Sequence, residues 1–531
     1  MTQTAEKAQP QASAEASAYV QGWLKWAIAL TVALGAILEV IDTSIVNVAL
    51  NDMQGNLGAT LSEIGWVVSG YAIANVIVIP LSAWLGDYFG RKRYFIFCLI
   101  AFTAASTLCG FAPNLGVLIF ARILQGLGGG GLLAKAQAIL FETFAPAEQA
   151  MAQGVFGIGV IAGPAIGPTL GGFLTDALGW RWIFFINIPF GILAVVLAVL
   201  FLPRPTASPK STAVDWLGIG LLALGLAGLQ TMLEEGQQDD WFTSNFIVAM
   251  AILGCVGLAL FIWRELRTAQ PAVDLRVLRF RSLAAGSLYS AVLGLGLYGA
   301  LFAVPIFAQS ILHYTAAQTG LLLLPGALAS VVTMPIAGKL SQKIDARLLI
   351  GAGGLIIVGS MVALTHINPD TGTDELFWPL LWRGVGTVLM FLPLSLATLG
   401  PLPKEKVSSG SGFYNLTRQL GGSVGIAILT TLLAQREAFH RAVLIENISA
   451  YNPLATARID QLSGALGAQG SDLATAHDQA LKLLDNLVNT QAAILSFEDI
   501  FRVVGIVFLA SLPLLLFLGS GRTGRTPPAA H

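Results

Sequence analysis

The sequence predicts an all-α integral membrane protein with fourteen transmembrane helices. Of its 531 residues, 55% are hydrophobic and only 11% are charged, which is less than half of the charged fraction of an ordinary soluble domain. A helix crosses a bilayer with about 20 predominantly apolar residues. Runs of this kind recur from near residue 25 to near residue 519. The net charge of −1 gives no indication of a nucleic-acid partner.

Fourteen apolar runs are long enough to span the membrane. They lie at residues 25–49, 62–85, 93–112, 115–138, 150–174, 181–203, 214–234, 242–264, 282–308, 316–338, 347–366, 377–401, 408–434 and 497–519. The apolar run after the polar residues 1–24 is too long for the hydrophobic region of a cleaved signal peptide. We therefore expect a disordered cytoplasmic tail at residues 1–24 and a second cytoplasmic tail at residues 520–531.

The loops alternate in charge along the chain. One set of short loops, with the C-terminal tail, carries Arg91, Lys92, Arg93, Arg204, Lys210, the basic residues of segment 264–281, Lys339, Lys343, Lys404, Lys406, Arg522 and Arg525. The other set carries Asp52, Glu234, Glu235, Asp239, Asp240, Asp370, Asp374 and Glu375. Because cytoplasmic loops are enriched in lysine and arginine, the first set is predicted to be cytoplasmic. Both termini are then cytoplasmic, and we expect a multi-pass protein of the bacterial inner membrane.

The loop at residues 435–496 is the one long polar interruption, and it is predicted to lie outside. Residues 474–490 within it have the apolar spacing of an amphipathic helix. Two interpretations remain open for this helix. It rests on the outer surface of the transporter itself, or it docks a periplasmic adaptor protein.

An internal repeat divides the chain into two halves. Segment 83–93, between spans two and three, is echoed at 338–347, between spans ten and eleven, and Arg122 in span four is echoed by Arg383 in span twelve. This register predicts a six-helix bundle at 25–203, two inserted helices at 204–264 and a second six-helix bundle at 265–519. Repeats of this kind build a central site between two rocking bundles in many transporters.

Five motifs lie in corresponding spans of a known family. They are Asp42-Thr-Ser-Ile-Val-Asn47, Asp87 to Arg93, Arg122-Ile-Leu-Gln125-Gly126, Gly159 to Gly172, and Asn415-Leu-Thr-Arg418-Gln419-Leu-Gly-Gly422. Together they resemble the fourteen-helix drug/proton antiporters of the major facilitator superfamily, the EmrB and QacA type. The resemblance implies the major facilitator fold and proton-coupled multidrug efflux by alternating access. It also implies a periplasmic adaptor and an outer-membrane channel as partners.

Glu39 and Asp42 are predicted to couple transport to protons, together with Arg122. The two acids lie on one face of span one, and Asp42 lies about 10 Å below the outer interface at about 1.5 Å per residue. Charged groups at mid-membrane are functional by default. The acidic residues of the second half fall at or beyond its span ends, so Glu39 and Asp42 are the only plausible carriers. The alternative is a permanent Asp42–Arg122 pair that only latches the bundle.

A glycine stripe in span five corresponds to the antiporter motif of the family. Gly159, Gly163, Gly167 and Gly171 recur every four residues, which lets another helix approach closely, and Pro164 and Pro168 bend the helix. We expect this surface to form a bent contact between the two halves. Simple tight packing is the alternative.

The gate motif between spans two and three consists of Asp87, Gly90, Arg91 and Lys92. These residues are predicted to cap helix ends and to hold a cytoplasmic loop shut. Ala83 and Tyr88 depart from the family pattern, in which glycine and arginine are usual. Lys135, near a cytoplasmic helix end, is predicted to extend its amine to the membrane surface.

Aromatic and amide residues on three spans are candidates for binding substrate. They are Tyr71, Asn75, Tyr298, Phe302, Tyr414, Asn415, Arg418 and Gln419. Such groups suit a large and mostly apolar pocket, although packing or lipid contact is at least as good an explanation for any one of them. Three buried arginines against two acids slightly favour lipophilic anions and neutral compounds over dications.

Other classes of function have less support from the sequence. Export of an endogenous lipid or metabolite would use the same fold. An enzyme would need a metal-ligand cluster, a nucleophile with a histidine partner or a nucleotide-binding loop, and a channel fits the bent helices and unequal halves less well than alternating access. We therefore predict no catalytic residues, no metal site and no cofactor.

Overall fold

The computed structural model describes residues 20, 22–203, 214–368, 370–446, 448–449, 451–469 and 472–518, apart from the side chains of a few residues that include Phe302. The predicted tails before residue 20 and after residue 518 lie outside the described residues, as do Arg204 and Lys210. Within the described part, the chain is helical and contains no strand.

Eighteen α-helices occur in the described residues, and we number them in chain order. The first nine are α1 Leu24–Val48, α2 Leu50–Leu57, α3 Leu61–Phe89, α4 Arg91–Gly110, α5 Leu115–Gly129, α6 Leu132–Thr143, α7 Pro146–Leu178, α8 Trp182–Phe185 and α9 Asn187–Phe201. The others are α10 Trp216–Glu235, α11 Asn245–Arg267, α12 Arg281–Ser310, α13 Ala316–Leu340, α14 Ala346–Ala363, α15 Thr373–Leu399, α16 Lys404–Glu446, α17 Pro453–Ala468 and α18 Leu473–Ser511.

Thirteen segments of the described chain are long and apolar enough to cross a membrane, and α7 is a fourteenth if its two bent parts form one span. Helices α5 and α6 form one of these segments, and α8 and α9 another. Helix α7 bends by 47° between Pro164 and Ile166, where proline removes a backbone hydrogen bond. The predicted architecture of fourteen membrane-spanning helices is therefore confirmed.

Local sequence signals explain several helix ends. Thr60 and Glu63 form a capping box at the start of α3, and Thr315 and Gln318 form one at the start of α13. Gly90 joins α3 to α4 with φ = 87°, a conformation that side chains beyond glycine rarely adopt. The gate motif thus contains glycine at the position where the chain reverses.

The segment 435–496, predicted as a long external loop with one helix, is mostly helical in the structure. Helix α16 has 43 residues and α18 has 39, which gives lengths of about 65 and 58 Å at about 1.5 Å per residue. The hydrocarbon core is only about 30 Å thick. The predicted amphipathic segment 474–490 is therefore the first part of α18 and continues into the last span, rather than a separate helix on the surface.

Polar contacts hold the two extended helices together beyond the apolar region. Arg441 of α16 donates to Asp485 of α18 over 2.8 Å and to Asn489 over 2.6 Å. His440 lies 2.9 Å from Asp499. Helix α17 packs against α18. The segment between the last two spans is therefore a small helical assembly.

The inserted helices α10 and α11 pack closely on each other, and α10 contacts both halves. Gly225 and Gly228 meet Gly254 and Gly257 at backbone distance. The end of α10 reaches α16, where Gln230 donates to Ser423 over 2.6 Å, and α10 also packs on α3. The insert therefore touches the halves on either side of it.

The acidic residues at the end of α10 do not lie in an external loop as predicted. Glu234 accepts a hydrogen bond from Gln230 over 2.7 Å, and Glu235 is buried. Glu265, in the last turn of α11, is buried as well. Glu39 and Asp42 are therefore not the only buried acids of the chain.

Candidate functional site

Asp42 of α1 lies at the centre of a buried polar network. Its Oδ2 accepts a hydrogen bond from Arg122 Nη1 over 2.6 Å, and its Oδ1 accepts from Gln125 over 2.8 Å and from Asn187 over 2.9 Å. The side chains of Asp42 and Arg122 are 0% and 1% exposed. Three helices besides α1 supply or support these donors, since Asn187 also donates to Ser106 of α4.

Arg122 is held in place by further contacts. Its Nε donates to the carbonyl of Val67 over 3.0 Å, and its Nη1 also donates to Gln125 Oε1 over 2.7 Å. The guanidinium carbon lies 4.2 Å from the centre of the Tyr71 ring. The structure thus brings the predicted pair Asp42 and Arg122 together, with charge-assisted hydrogen bonds of the strong kind.

Glu39 has different partners from Asp42, although both lie on α1. Its Oε1 accepts from the Asn75 amide over 2.9 Å, and its Oε2 accepts from the backbone N–H of Leu133 over 2.9 Å. Both donors are neutral groups. The side chain of Glu39 is buried. Its carboxyl group is therefore bound by neutral hydrogen-bond donors, whereas the carboxyl group of Asp42 forms an ion pair.

The gate motif makes four contacts at one end of the bundle. Arg91 lies 3.6 Å from Asp87 and forms an ion pair with Glu142 at the end of α6. Lys92 donates to the carbonyls of Val199 and Leu202 at the end of α9, where the helix dipole favours a cation. Glu142 was not predicted, because nothing in its local sequence separates it from an ordinary helix-end acid.

The glycine stripe of α7 packs within the first half, so the predicted contact between the halves is wrong. Gly163 and Gly167 face Val40 and Ser44 of α1, and Gly159 and Gly171 face Ile37 and Ile45. Another face of α7 meets the second half. There Thr169 lies against Gly320 of α13, and Met334 of α13 lies against Gly157. The stripe therefore seats the helix that carries Glu39 and Asp42.

Helix α6 connects the two halves through a group of buried hydrogen bonds. Lys135 Nζ donates to Ser408 over 2.6 Å and Gln137 donates to Ser395 over 2.9 Å. The carbonyl of Ala134 accepts from Ser411 over 2.8 Å, and Gln137 Oε1 accepts from Asn415 over 2.8 Å. Lys135 is 1% exposed, so the prediction that it extends to the membrane surface is wrong. No local pattern in the sequence identifies its partner Ser408 in the other half.

The structure places the predicted substrate residues in several different contacts. Tyr71 and Asn75 belong to the acidic network, and Asn415 joins the contact with α6. Tyr298 packs on Gly422 of α16, and Gln419 is half-buried. Phe302 lies in α12, and its side chain is outside the described part of the chain.

Arg418 is the predicted substrate residue with the least complete set of partners. One of its terminal nitrogens donates to Asn415 over 2.7 Å, and the guanidinium lies 5.4 Å from the Phe391 ring centre. The other terminal nitrogen is buried and has no hydrogen-bond partner among the described residues. The hydroxyl of Tyr414, which is also buried, has none there either. Unsatisfied buried donors of this kind carry a free-energy cost that a ligand can remove.

Two cavities open elsewhere, with volumes of about 440 and 260 Å³. The larger is lined by residues of α13 and α15, including Gln318 and Asp374, and the smaller by residues near Trp180 and Arg181. Neither lining includes a predicted substrate residue. The side chain of Arg418 itself is buried.

Sequence comparisons identify the family of this helical architecture. Residues 32–426 match the family model described as Major Facilitator Superfamily. The chain belongs to this superfamily. The transporter is 32% identical over 489 residues to the Multidrug export protein EmrB of Escherichia coli, covering 92% of this chain and 94% of that protein. It is 33% identical over 493 residues to the Fatty acid resistance protein FarB of Neisseria gonorrhoeae, covering 93% and 95%.

The transporter also shares its fold with a solved structure. The human organic anion transporter MFSD10 superimposes with a TM-score of 0.56 at 13% identity, covering 91% of this chain and 99% of that one. The predicted resemblance to EmrB-like permeases and the predicted major facilitator fold are confirmed. The chain is a multi-pass membrane protein, and its family points to a transporter rather than to an enzyme.

Proposed function

We propose that the transporter exports lipophilic small molecules across a bacterial inner membrane in exchange for protons, by alternating access. The observation that carries the proposal is the fully buried network of Asp42, Arg122 and Gln125 beside Glu39. A charged pair at this depth is costly, and such residues usually serve transport. The similarity to a protein named for multidrug export supports the same conclusion.

The chemistry of Asp42 suits proton exchange. Burial favours the neutral form of a carboxyl group, whereas a neighbouring arginine favours the charged form. A conformational change that separates Asp42 from Arg122 therefore loads a proton on one side, and a change that restores the pair releases it on the other. Glu39 supplies a second acid on the same helix face.

The decisive experiment uses purified protein in proteoliposomes with an imposed proton gradient. The transporter is expected to accumulate a lipophilic dye such as ethidium, or a lipophilic weak acid, against its gradient and to move protons in the opposite direction. Accumulation that needs no proton gradient, or proton flux that does not depend on substrate, would contradict the proposal.

The proposal includes an orientation and a division of the chain. Residues 25–203 and 265–519 act as two bundles with the insert 204–264 beside them, and both termini are cytoplasmic. The basic loops support this orientation. The contacts of α6 with α15 and α16, and the gate residues Asp87, Gly90, Arg91 and Lys92, then close the cytoplasmic end. The antiporter motif, from Gly159 through Pro164 and Pro168 to Gly171, keeps α1 tightly seated.

A second candidate substrate class is a lipophilic acid, such as an endogenous lipid or fatty acid. Arg418 supports this candidate. Its buried Nη1 has no hydrogen-bond partner among the described residues, and a guanidinium group binds carboxylates strongly. The name of the relative FarB supports it as well. Replacement of Arg418 by Gln should lower transport of a medium-chain fatty acid and spare ethidium. Equal loss of both substrates would assign Arg418 a structural role instead.

We also propose that the outer helical assembly of α16, α17 and α18 docks a periplasmic adaptor that leads to an outer-membrane channel. Its tips expose apolar side chains, with Tyr451, Leu454 and Leu473 at 96%, 83% and 88%, and exposed apolar patches often mark interfaces. Serine at all three positions should reduce drug resistance of cells but leave transport in proteoliposomes unchanged. Unchanged resistance at equal abundance would contradict the docking.

A further inference from the structure

The smaller of the two cavities, of about 260 Å³, lies where α7 ends and α8 begins. Gly179 turns the chain there with φ = 91°, and Trp180 and Arg181 follow it. The short helix α2, which comes directly after α1, adds Asp52 and Asn56 to the lining. In the proposed orientation α1 and α7 both run outward, so the cavity lies at the outer face of the membrane.

Two opposite charges line this cavity, and neither forms an ion pair with a described residue. The side chain of Asp52 makes no hydrogen bond in the described part of the chain, although its backbone carbonyl accepts from Asn56 over 2.8 Å. Arg181 Nη2 donates to the carbonyl of Ala112 over 3.2 Å, and its guanidinium lies 4.3 Å from the centre of the Trp180 ring. A cavity with two such charges is complementary to a ligand that carries both signs.

Two buried polar groups of the lining also have no hydrogen-bond partner among the described residues. Trp180 is only 3% exposed, and its indole Nε1 is one of these groups. The hydroxyl of Thr175 is the other. Buried groups of this kind carry a free-energy cost that a bound ligand removes. An indole N–H can only donate, and a hydroxyl can also accept, so the pair fits an anionic oxygen beside a donor.

The cavity also has an apolar and aromatic side. Leu178 and Trp182 belong to the lining and are 54% and 46% exposed. Phe185 lines it as well and contacts Phe111, which is 72% exposed, with the ring centres 5.0 Å apart. Exposed aromatic rings of this kind are typical of the level of the lipid head groups. The ligand is therefore expected to have an apolar part that stays in the membrane.

We propose that this cavity binds the head group of phosphatidylethanolamine, a phospholipid with a primary ammonium and a phosphate, from the outer leaflet of the membrane. The phosphate accepts from Arg181 and from Trp180 Nε1. The ammonium donates to the side-chain oxygens of Asp52 and Asn56 and to the hydroxyl of Thr175. The acyl chains lie along the aromatic side of the cavity, and the bound lipid joins α2 to the end of α7.

Other ligands satisfy only part of this lining. An anionic lipid such as phosphatidylglycerol fits Arg181 but brings a second negative charge near Asp52, which is unfavourable. A lipophilic cation fits Asp52 but leaves the N–H groups of Arg181 and Trp180 without an acceptor. Phosphatidylcholine carries both charges, yet its ammonium has no N–H to donate. The lining therefore selects a head group with both charges and a primary amine.

The test measures lipid binding to the full-length protein in detergent. Phosphatidylethanolamine, phosphatidylcholine and phosphatidylglycerol with the same acyl chains are titrated, and the bound lipids are counted by native mass spectrometry. We expect the first site to bind phosphatidylethanolamine about tenfold more tightly than the other two, because each of these lacks a charge-assisted contact. The temperature of unfolding should also rise most with this lipid, since a ligand of the folded state stabilises it.

Three variants divide the site into its two charges. Asp52→Asn, at an exposed position, should abolish the preference for phosphatidylethanolamine over phosphatidylglycerol without weakening the binding of phosphatidylglycerol. Arg181→Gln should weaken both lipids by about tenfold, because both present a phosphate. Trp180→Phe keeps an aromatic ring but removes the N–H, and it should weaken both lipids less. Arg458→Gln and Glu375→Gln, exposed residues outside this cavity, are the matched controls and should bind lipids like the unchanged protein.

Several results would overturn the inference. They are equal binding of phosphatidylethanolamine and phosphatidylglycerol by the unchanged protein, and a preference that persists in Asp52→Asn. Equal affinity for free phosphoethanolamine would make the occupant a soluble zwitterion, and displacement of the lipid by ethidium would make the cavity a drug site. Drug export is measured separately in proteoliposomes. Lipid selectivity without proton-driven export would therefore refute the proposed function and leave this inference standing.

Discussion

The packing of α7 on α1 allows a sharp test with a single methyl group. A Cβ atom at Gly163 would lie 2.8 Å from Val40 Cγ1, whereas ordinary contacts are 3.4–4 Å. Gly163→Ala therefore forces the two helices apart by about 0.6–1.2 Å. Overpacking of this kind costs about 1–3 kcal/mol, which corresponds to a change of about 5–150-fold in the population of the packed conformation.

The displaced helix carries both acids, so the strain should appear in transport. Asp42 and Arg122 are only 2.6 Å apart, and a shift of α1 would lengthen that bond. We expect Gly163→Ala to reach the membrane in normal amounts and to lose most of its proton-driven efflux in proteoliposomes.

A matched control lies on the same helix. A Cβ atom at Gly154 would lie 3.5 Å from Met334 Cγ, an ordinary contact. Gly154→Ala should therefore transport like the unchanged protein. Equal efflux by Gly163→Ala and Gly154→Ala, at equal membrane abundance, would refute the argument that the stripe sets the position of α1.

Further predictions concern coupling, the gate and topology. Asp42→Asn keeps the size and hydrogen bonding of the side chain but cannot titrate. It should abolish uphill efflux in proteoliposomes and retain drug binding measured by fluorescence. Uphill transport by this variant would exclude Asp42 as the proton carrier. Lys135→Met leaves Ser408 without its donor and should raise labelling of a cysteine at Lys343 by an aqueous maleimide, whereas unchanged labelling would argue against Lys135 as a latch. Glu142→Gln leaves Arg91 with Asp87, 3.6 Å away, as its charged partner, so a double change with Arg91→Gln should be no worse than Arg91→Gln alone. Additive losses would show independent roles. A tag at residue 465 should be accessible from outside and one at residue 10 only from the cytoplasm, and a cytoplasmic residue 465 would overturn the orientation.

The sequence predicted the number of spans well, because the membrane imposes a direct requirement on composition. Every spanning helix must be apolar for about 20 residues, and basic loops separate the runs. The same reasoning failed for α16 and α18. The outer halves of these two helices lie outside the hydrocarbon core of the membrane, so their hydropathy falls although the helix continues. Residues 435–452 therefore resemble a loop in composition. Helical periodicity at 474–490 was present but could not show that the helix joins the next span.

The candidate site was predicted in part. The sequence identified which residues are functional candidates, but it did not identify the residues that they contact. Residue type and depth were enough to single out Glu39, Asp42 and Arg122, because charge is rare in the membrane. Spacing of glycines predicted a close contact but could not identify α1 as the neighbour. The burial of Lys135 depends on Ser408, which is 273 residues away in the chain, and no local signal carries that information.

The unbroken length of α16 has a mechanical consequence. One end of this helix carries Ser408 and Asn415, which bond to α6, and the other end is Glu446, beyond the apolar region. Over a length of about 65 Å, a tilt of about 10° moves one end by about 11 Å relative to the other. A small rotation of α16 at the α6 contact therefore produces a large displacement of its outer end. A protein bound at that end would be moved by several ångströms in each transport cycle.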